Sequence, residues 1–246
     1  MISYLANPAR FARVSKWLTP ICGALAATCI AVGTYMGLIS SPPADLHGEG
    51  VRMLYVHVPA AWCALAAYTA LAACSFISFV WRHPLADIGA RSLAVPGLIF
   101  ALLCLATGSL WGRPAWGTWW QWDARMTSVL VLAFIYAGYL LLWGVIEDKR
   151  KAARLASIVA MVGFINIPII KFSVDWWNTL HQSASISQPG APGMPAEFFI
   201  PLLTMMTGYT ALLAWCALRG VEADLVKLKN QRAPKTAPAA IELSEG

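Results

Sequence analysis

Thr127-Ser-Val-Leu-Val-Leu-Ala-Phe-Ile-Tyr-Ala-Gly-Tyr-Leu-Leu-Leu-Trp-Gly-Val-Ile146 runs for 20 residues without a charge. A spanning helix needs about 20 predominantly apolar residues, and inside a bilayer only a helix satisfies the backbone of a single such segment. Five further runs read the same way: Leu18 to Ser40, Val58 to Trp81, Leu93 to Leu110, Leu155 to Val174, and Phe198 to Leu218. The run from Leu155 is interrupted in its second half by Asn166, Pro168 and Lys171. Across all 246 residues, 59% are apolar and 12% charged, with a mean hydropathy of +0.61. A soluble domain carries about 25% charged residues, roughly twice this share. The composition excludes a water-soluble globular protein and predicts an all-α integral membrane protein with six transmembrane helices.

Net charge is +6. Successive connections must face opposite sides of the bilayer, which sorts the basic residues into two sets. The N-terminus, second loop, fourth loop and C-terminal segment carry 14 Lys and Arg, against four for the alternate loops: Arg52, Arg113, Arg125 and Lys171. This asymmetry predicts that both termini are cytoplasmic, and it explains the basic balance without nucleic acid. Residues 1–17 read as a cytoplasmic leader, 18–219 as the membrane domain and 220–246 as a disordered cytoplasmic tail. The first apolar run is longer than the core of a signal peptide and reads as an uncleaved anchor. Six cysteines all lie in apolar runs without a Cys-x-x-Cys pair, so they read as small buried hydrophobes.

The outer segments, 41–57, 111–126 and 175–197, hold seven of the twelve tryptophans and three of the four histidines. The densest string is Trp111-Gly-Arg-Pro-Ala-Trp116-Gly-Thr-Trp119-Trp120-Gln-Trp122-Asp123-Ala-Arg125. An interfacial aromatic belt accounts for scattered tryptophans, whereas these five fall within twelve consecutive positions. A short interfacial helix starting at Pro114 would put Trp116, Trp119, Trp120 and Asp123 on one face, an indole platform with a carboxylate at its end.

His57 stands at the start of the second span in Tyr-Val-His-Val-Pro, and His181 lies beyond the fifth in Trp-Trp-Asn-Thr-Leu-His. A lone interfacial histidine is usually satisfied by water or backbone. Two of them, each flanked by aromatic residues at the same boundary, offer the neutral imidazoles and apolar slot that six-coordinate haem iron requires. His47 reads as a solvated loop residue and His83 as a surface residue. Haem propionates take Arg or Lys partners; Arg125 is the first candidate and Arg52 the second. Asp123 either orients a neighbouring arginine or caps a helix.

The pattern Trp111-Gly-x-x-x-Trp116-Gly-x-Trp119-Trp120-x-Trp122-Asp123 resembles the "WWD" segment of the haem-handling proteins of cytochrome c biogenesis. Six spans with one histidine on each side of that segment resemble the CcmC members of maturation system I, over Leu18 to Arg219. The resemblance implies a bacterial inner-membrane protein whose periplasmic loops hold haem b, with His57 and His181 as axial ligands. It makes Trp111, Trp116, Trp119, Trp120, Trp122 and Asp123 the haem platform or a chaperone contact. It further implies delivery, rather than enzymatic turnover, to the haem chaperone CcmE, with CcmA, CcmB and CcmD in a complex set in membrane lipid. No Gly-x-x-x-x-Gly-Lys-Ser/Thr loop occurs, so any ATPase must be a separate chain. A bis-histidine b-type cytochrome and a transmembrane haem transporter subunit are the competing readings.

Overall fold

The computed structural model describes residues 7–45, 48–177, 179–181 and 193–232. Over these the chain is built from helices, and among them the one strand-like pairing is an isolated bridge between Ala44 and Gly48. Helix α1 is Pro8–Thr34, closed by a π-helical turn at Tyr35–Ser40. After a 3-10 turn at Glu49–Met53 come α2, Leu54–Trp81, and α3, Pro84–Trp116. Then follow α4 (Ala124–Val145), α5 (Lys149–Gly163), α6 (Asn166–Trp176) and α7 (Ala196–Arg232). Six of the resulting segments are long and apolar enough to cross a membrane, with α5 and α6 sharing one.

The helix starts are written in the sequence. The Asn7 side chain accepts the Ala9 N–H at 2.9 Å, with Pro8 at the first helical position; the Asp123 and Asp148 carboxylates cap α4 and α5 in the same manner. Within the fifth span, Pro168 lacks the N–H that would bond the Phe164 carbonyl. The Ile167 N–H turns to that carbonyl instead, at 3.0 Å, and the Asn166 amide donates to the Ser128 carbonyl at 2.8 Å. The polar residues that interrupt the fifth apolar run thus mark a break, with α4 taking up the exposed polarity.

Helices α2 and α3 form the most extensive pair, α1 packs along α7, and α3 also meets α4 and α7. The seam of α2 is lined by buried Ala60, Ala64, Ala67 and Ala72, small residues that let helix backbones approach. Between them sit Tyr68 and Tyr136, edge to face at 5.0 Å, whose hydroxyls donate to the Ala160 and Ala64 carbonyls. Every one of those bonds joins two helices, and a buried phenol without one would be costly. Large apolar side chains such as Trp17, Phe134 and Val145 cover the outside of the bundle. Thr19 on α1 donates to the Glu222 carboxylate on α7 at 2.7 Å, so the first half of α1 and the last turns of α7 lie together at one end of the bundle, the basic end.

Two sequence expectations need correction. The short helix starting at Pro114 does not form: α3 runs on through Pro114 to Trp116 and stops at Gly117, which adopts φ +77. Pro114 is tolerated there because it lies in the last turn, and the left-handed glycine terminates the helix. Residues 118–123 are irregular, so Trp116, Trp119, Trp120 and Asp123 do not share a helical face. The segment from 220, expected as a disordered tail, continues α7 as far as Arg232. It packs on α1 and α3, Thr19 bonding Glu222 and Arg91 on α3 pairing with Asp224. The rest of the tail, 233–246, and the first six residues of the leader lie outside the described residues.

Candidate functional site

At the end of the bundle opposite the basic end, α2 carries His57 one turn from its start. Its Nδ1 lies 3.0 Å from the Cys104 carbonyl and 3.1 Å from Thr107 Oγ1, both on α3. A carbonyl only accepts, and the Thr107 hydroxyl donates to the Leu103 carbonyl at 2.7 Å, so Nδ1 must carry the proton. Nε2 then holds the lone pair. The approach is close because residue 108 is glycine: a Cβ there would stand 3.0 Å from His57 Cε1.

His181 is reached five residues after the end of α6 and is fixed by side chains rather than by helical backbone. Its Nδ1 lies 2.8 Å from Asp123 Oδ2. The Thr179 hydroxyl also donates to that oxygen, and accepts the His181 N–H at 3.1 Å. Asp123 Oδ1 meanwhile accepts the Met126 N–H at 2.7 Å, capping α4. Asp123 is therefore a helix cap, and its second oxygen orients an imidazole rather than an arginine. Burial pushes the Asp123 carboxyl up, but donation from Thr179, Met126 and His181 outweighs it and holds the group below the usual carboxylate range. Burial lowers the His181 pKa, and the Arg125 charge adds to that; the Asp123 carboxylate only partly offsets them. An ionised carboxylate thus faces a neutral imidazole with its proton on Nδ1, again leaving Nε2 with the lone pair.

The last turns of α3 touch both histidines. Trp111 meets the His57 ring edge to face at 5.9 Å, and Trp116 meets the His181 ring at 4.8 Å. Five residues span about 7.5 Å of helix axis, so one helix end brackets the two imidazoles. Beyond Gly117, Trp120 is half-buried with its ring 5.4 Å from Trp122, while Trp119 and Trp122 are 56% and 74% exposed. The Trp120 Nε1–H is buried and has no hydrogen-bond partner among the described residues.

Of the basic residues at the histidine end, Arg125 lies within electrostatic reach of Asp123 and both histidines, and hydrogen-bonds the Lys171 carbonyl at 3.4 Å. Arg113 donates to the Gly117 carbonyl and so finishes its own helix. Arg52 pairs with Glu49 at 2.5 Å and donates to the Leu38 carbonyl at 2.6 Å, clamping the 3-10 turn before α2 to the π-helical turn that closes α1. His47 lies outside the described residues, and His83 precedes α3 at the basic end. Sequence reasoning missed Thr107, the Cys104 carbonyl and Thr179. Only Thr179 had a visible signal, a hydroxyl residue two positions before a histidine, the spacing of a side-chain-to-backbone turn.

The described residues hold no cluster of three or more His, Cys, Asp or Glu fit for a metal ion.

Comparison with known proteins finds one family over nearly the whole chain. The family model "CcmC: Heme exporter protein C" matches residues 1–236. The heme exporter protein C of Bradyrhizobium diazoefficiens is 43% identical over 223 residues, covering 91% of this chain and 84% of its own length. That of Escherichia coli K12 is 38% identical over 231 residues, covering 94% and 92%. That of Haemophilus influenzae is 36% identical over 227 residues, covering 92% of each.

Proposed function

The chain belongs to the heme exporter protein C (CcmC) family, and from that membership we propose that it binds haem b at the histidine end of the bundle and delivers it for cytochrome c maturation. His57 and His181 are the axial ligands. The observation that carries this reading is the matched state of the two imidazoles: each gives its Nδ1 proton to an oxygen of the protein and keeps Nε2 open, each with a tryptophan ring against it. Such outer oxygens fix tautomer and orientation of a ligating histidine. Haem brings four equatorial nitrogens, so two protein ligands complete its iron.

The remaining roles follow from position. Trp111 and Trp116 wall the slot, and Arg125 takes a propionate, with Arg52 held back by its pairing to Glu49. Trp119 and Trp122, projecting outward, are the surface offered to the haem chaperone CcmE, and CcmA, CcmB and CcmD complete the membrane complex. The charge asymmetry supports a periplasmic position for this end and a cytoplasmic one for the basic end, in a bacterial inner membrane.

The test is optical spectroscopy of the purified chain titrated with haem b. The intact protein gives a low-spin spectrum, and His57→Ala and His181→Ala each convert it to a high-spin form. An unchanged low-spin spectrum in both variants eliminates the ligand assignment. Delivery is checked by co-purification of covalently haem-loaded chaperone, lost in Trp119→Ala while membrane levels of the chain stay constant; parallel loss of both marks the segment as structural.

A further inference from the structure

At the basic end, far from the histidines, a cleft of about 410 Å³ opens between α1 and α7, lined by Lys16, Thr19, Pro20, Trp215, Arg219 and Glu222. We propose that this cleft is a binding site for the phosphate headgroup of an anionic phospholipid, held between Lys16 and Arg219 with its chains running along the Trp215 side. The site is independent of the haem reading.

The lining has the two-part chemistry that such a ligand needs. Lys16 is exposed, and the Arg219 side chain is 62% exposed, so both cations remain available on the surface. Glu222 does not cancel them both: one of its oxygens accepts from Thr19 at 2.7 Å and the other from a single Arg219 nitrogen at 3.2 Å. That pairing ties down one edge of the guanidinium while leaving the rest of its donors to an incoming oxyanion. The floor is apolar, with the Trp215 indole packed over Gly23, where a Cβ would stand 3.0 Å from the ring. Level with the cations, Trp17 and Leu18 face outward, which places the cleft where apolar helix surface gives way to charge. Indoles and snorkelling cations gather at that depth, and basic pockets between spanning helices bind anionic headgroups.

The experiment is native mass spectrometry of the full chain released from nanodiscs of phosphatidylglycerol mixed with phosphatidylcholine. The intact protein is expected to retain phosphatidylglycerol in preference to phosphatidylcholine. Lys16→Gln with Arg219→Gln lowers that retention roughly tenfold or more. The control, Lys149→Gln with Lys151→Gln, removes two charges from α5 and leaves retention unchanged. Circular dichroism reports whether either double variant is folded, and Lys16→Gln alone, at an exposed position, gives an intermediate loss if the pair variant fails to fold. Equal loss in both double variants marks general surface attraction and overturns the site, as does no loss in either. Retention of phosphatidylcholine in equal measure overturns it too. Displacement of the lipid by millimolar inorganic phosphate identifies a free anion as the occupant and overturns the lipid assignment.

Discussion

Asp123 serves two structures with its two oxygens, and substitutions can separate them. In Asp123→Asn the amide oxygen can still cap α4, since Asn and Asp cap about equally well. The other position is then an NH2 group, which cannot accept the Nδ1 proton of His181 and favours the wrong tautomer. Melting temperature should therefore hold while haem affinity falls by about 10- to 100-fold, the usual cost of losing a partner behind a metal ligand. Asp123→Ala loses the cap as well, about 0.5–2 kcal/mol, visible as a lower melting temperature. Gly108→Ala tests His57 from the other side. Alanine is favoured over glycine in a helix by about 1 kcal/mol, yet its methyl would stand 3.0 Å from Cε1 of a ring already held by Cys104 and Thr107. Unchanged expression with a diminished low-spin signal is expected in an optical titration. None of these pairings was legible in sequence order, because Asp123 meets His181 across 58 positions and His57 meets Cys104 across 47.

At the scale of elements, the tryptophan-rich string located the site but not its shape. Spacing suggested a helix from Pro114, and Gly117 decided otherwise: the helix already in progress absorbed Pro114 into its last turn and ended at Trp116. The consequence is a division of labour within one motif, with Trp111 and Trp116 on the helix against the histidines and Trp119 and Trp122 on the irregular stretch facing out. Gly117→Ala forces a side chain into a left-handed conformation at a cost of about 1–2 kcal/mol. Gly117→Asn, which tolerates that region better, should recover much of the difference in a thermal unfolding assay, although nothing lies within 4 Å to clash with either. The fifth span was more legible. Its polar interruptions, read in the sequence as a blemish in an apolar run, are the break between α5 and α6.

At the scale of the molecule, six apolar runs became six membrane-length segments, because hydrophobic length is a property each run carries by itself. Their ends were less legible, since helices continue past the apolar core wherever a neighbour can take their polar groups. The last helix shows this most clearly. Asp224 pairs with Arg91 on α3, whose guanidinium lies over the Trp143 ring of α4 at 5.0 Å, so three helices are joined where a free tail was expected. Asp224→Ala should lower stability by about 1.5–3 kcal/mol, the range for a charge-assisted bond. It should leave the haem spectrum unmoved, because the pair lies at the opposite end of the bundle.

The two histidines are anchored differently, and in the proposed haem site that difference would set an order of release. His57 belongs to α2, whose seam with α3 is the most extensive in the bundle, so displacing it means disturbing the bundle. His181, beyond α6, is held by side chains alone: the Asp123 carboxylate, the Thr179 hydroxyl and the edge-to-face Trp116 ring. Haem held by this pair, as proposed, would be let go from one side first. Under the proposed ligand roles, His181 would leave first while His57 kept its hold, and an acceptor would meet the cargo from the freed side.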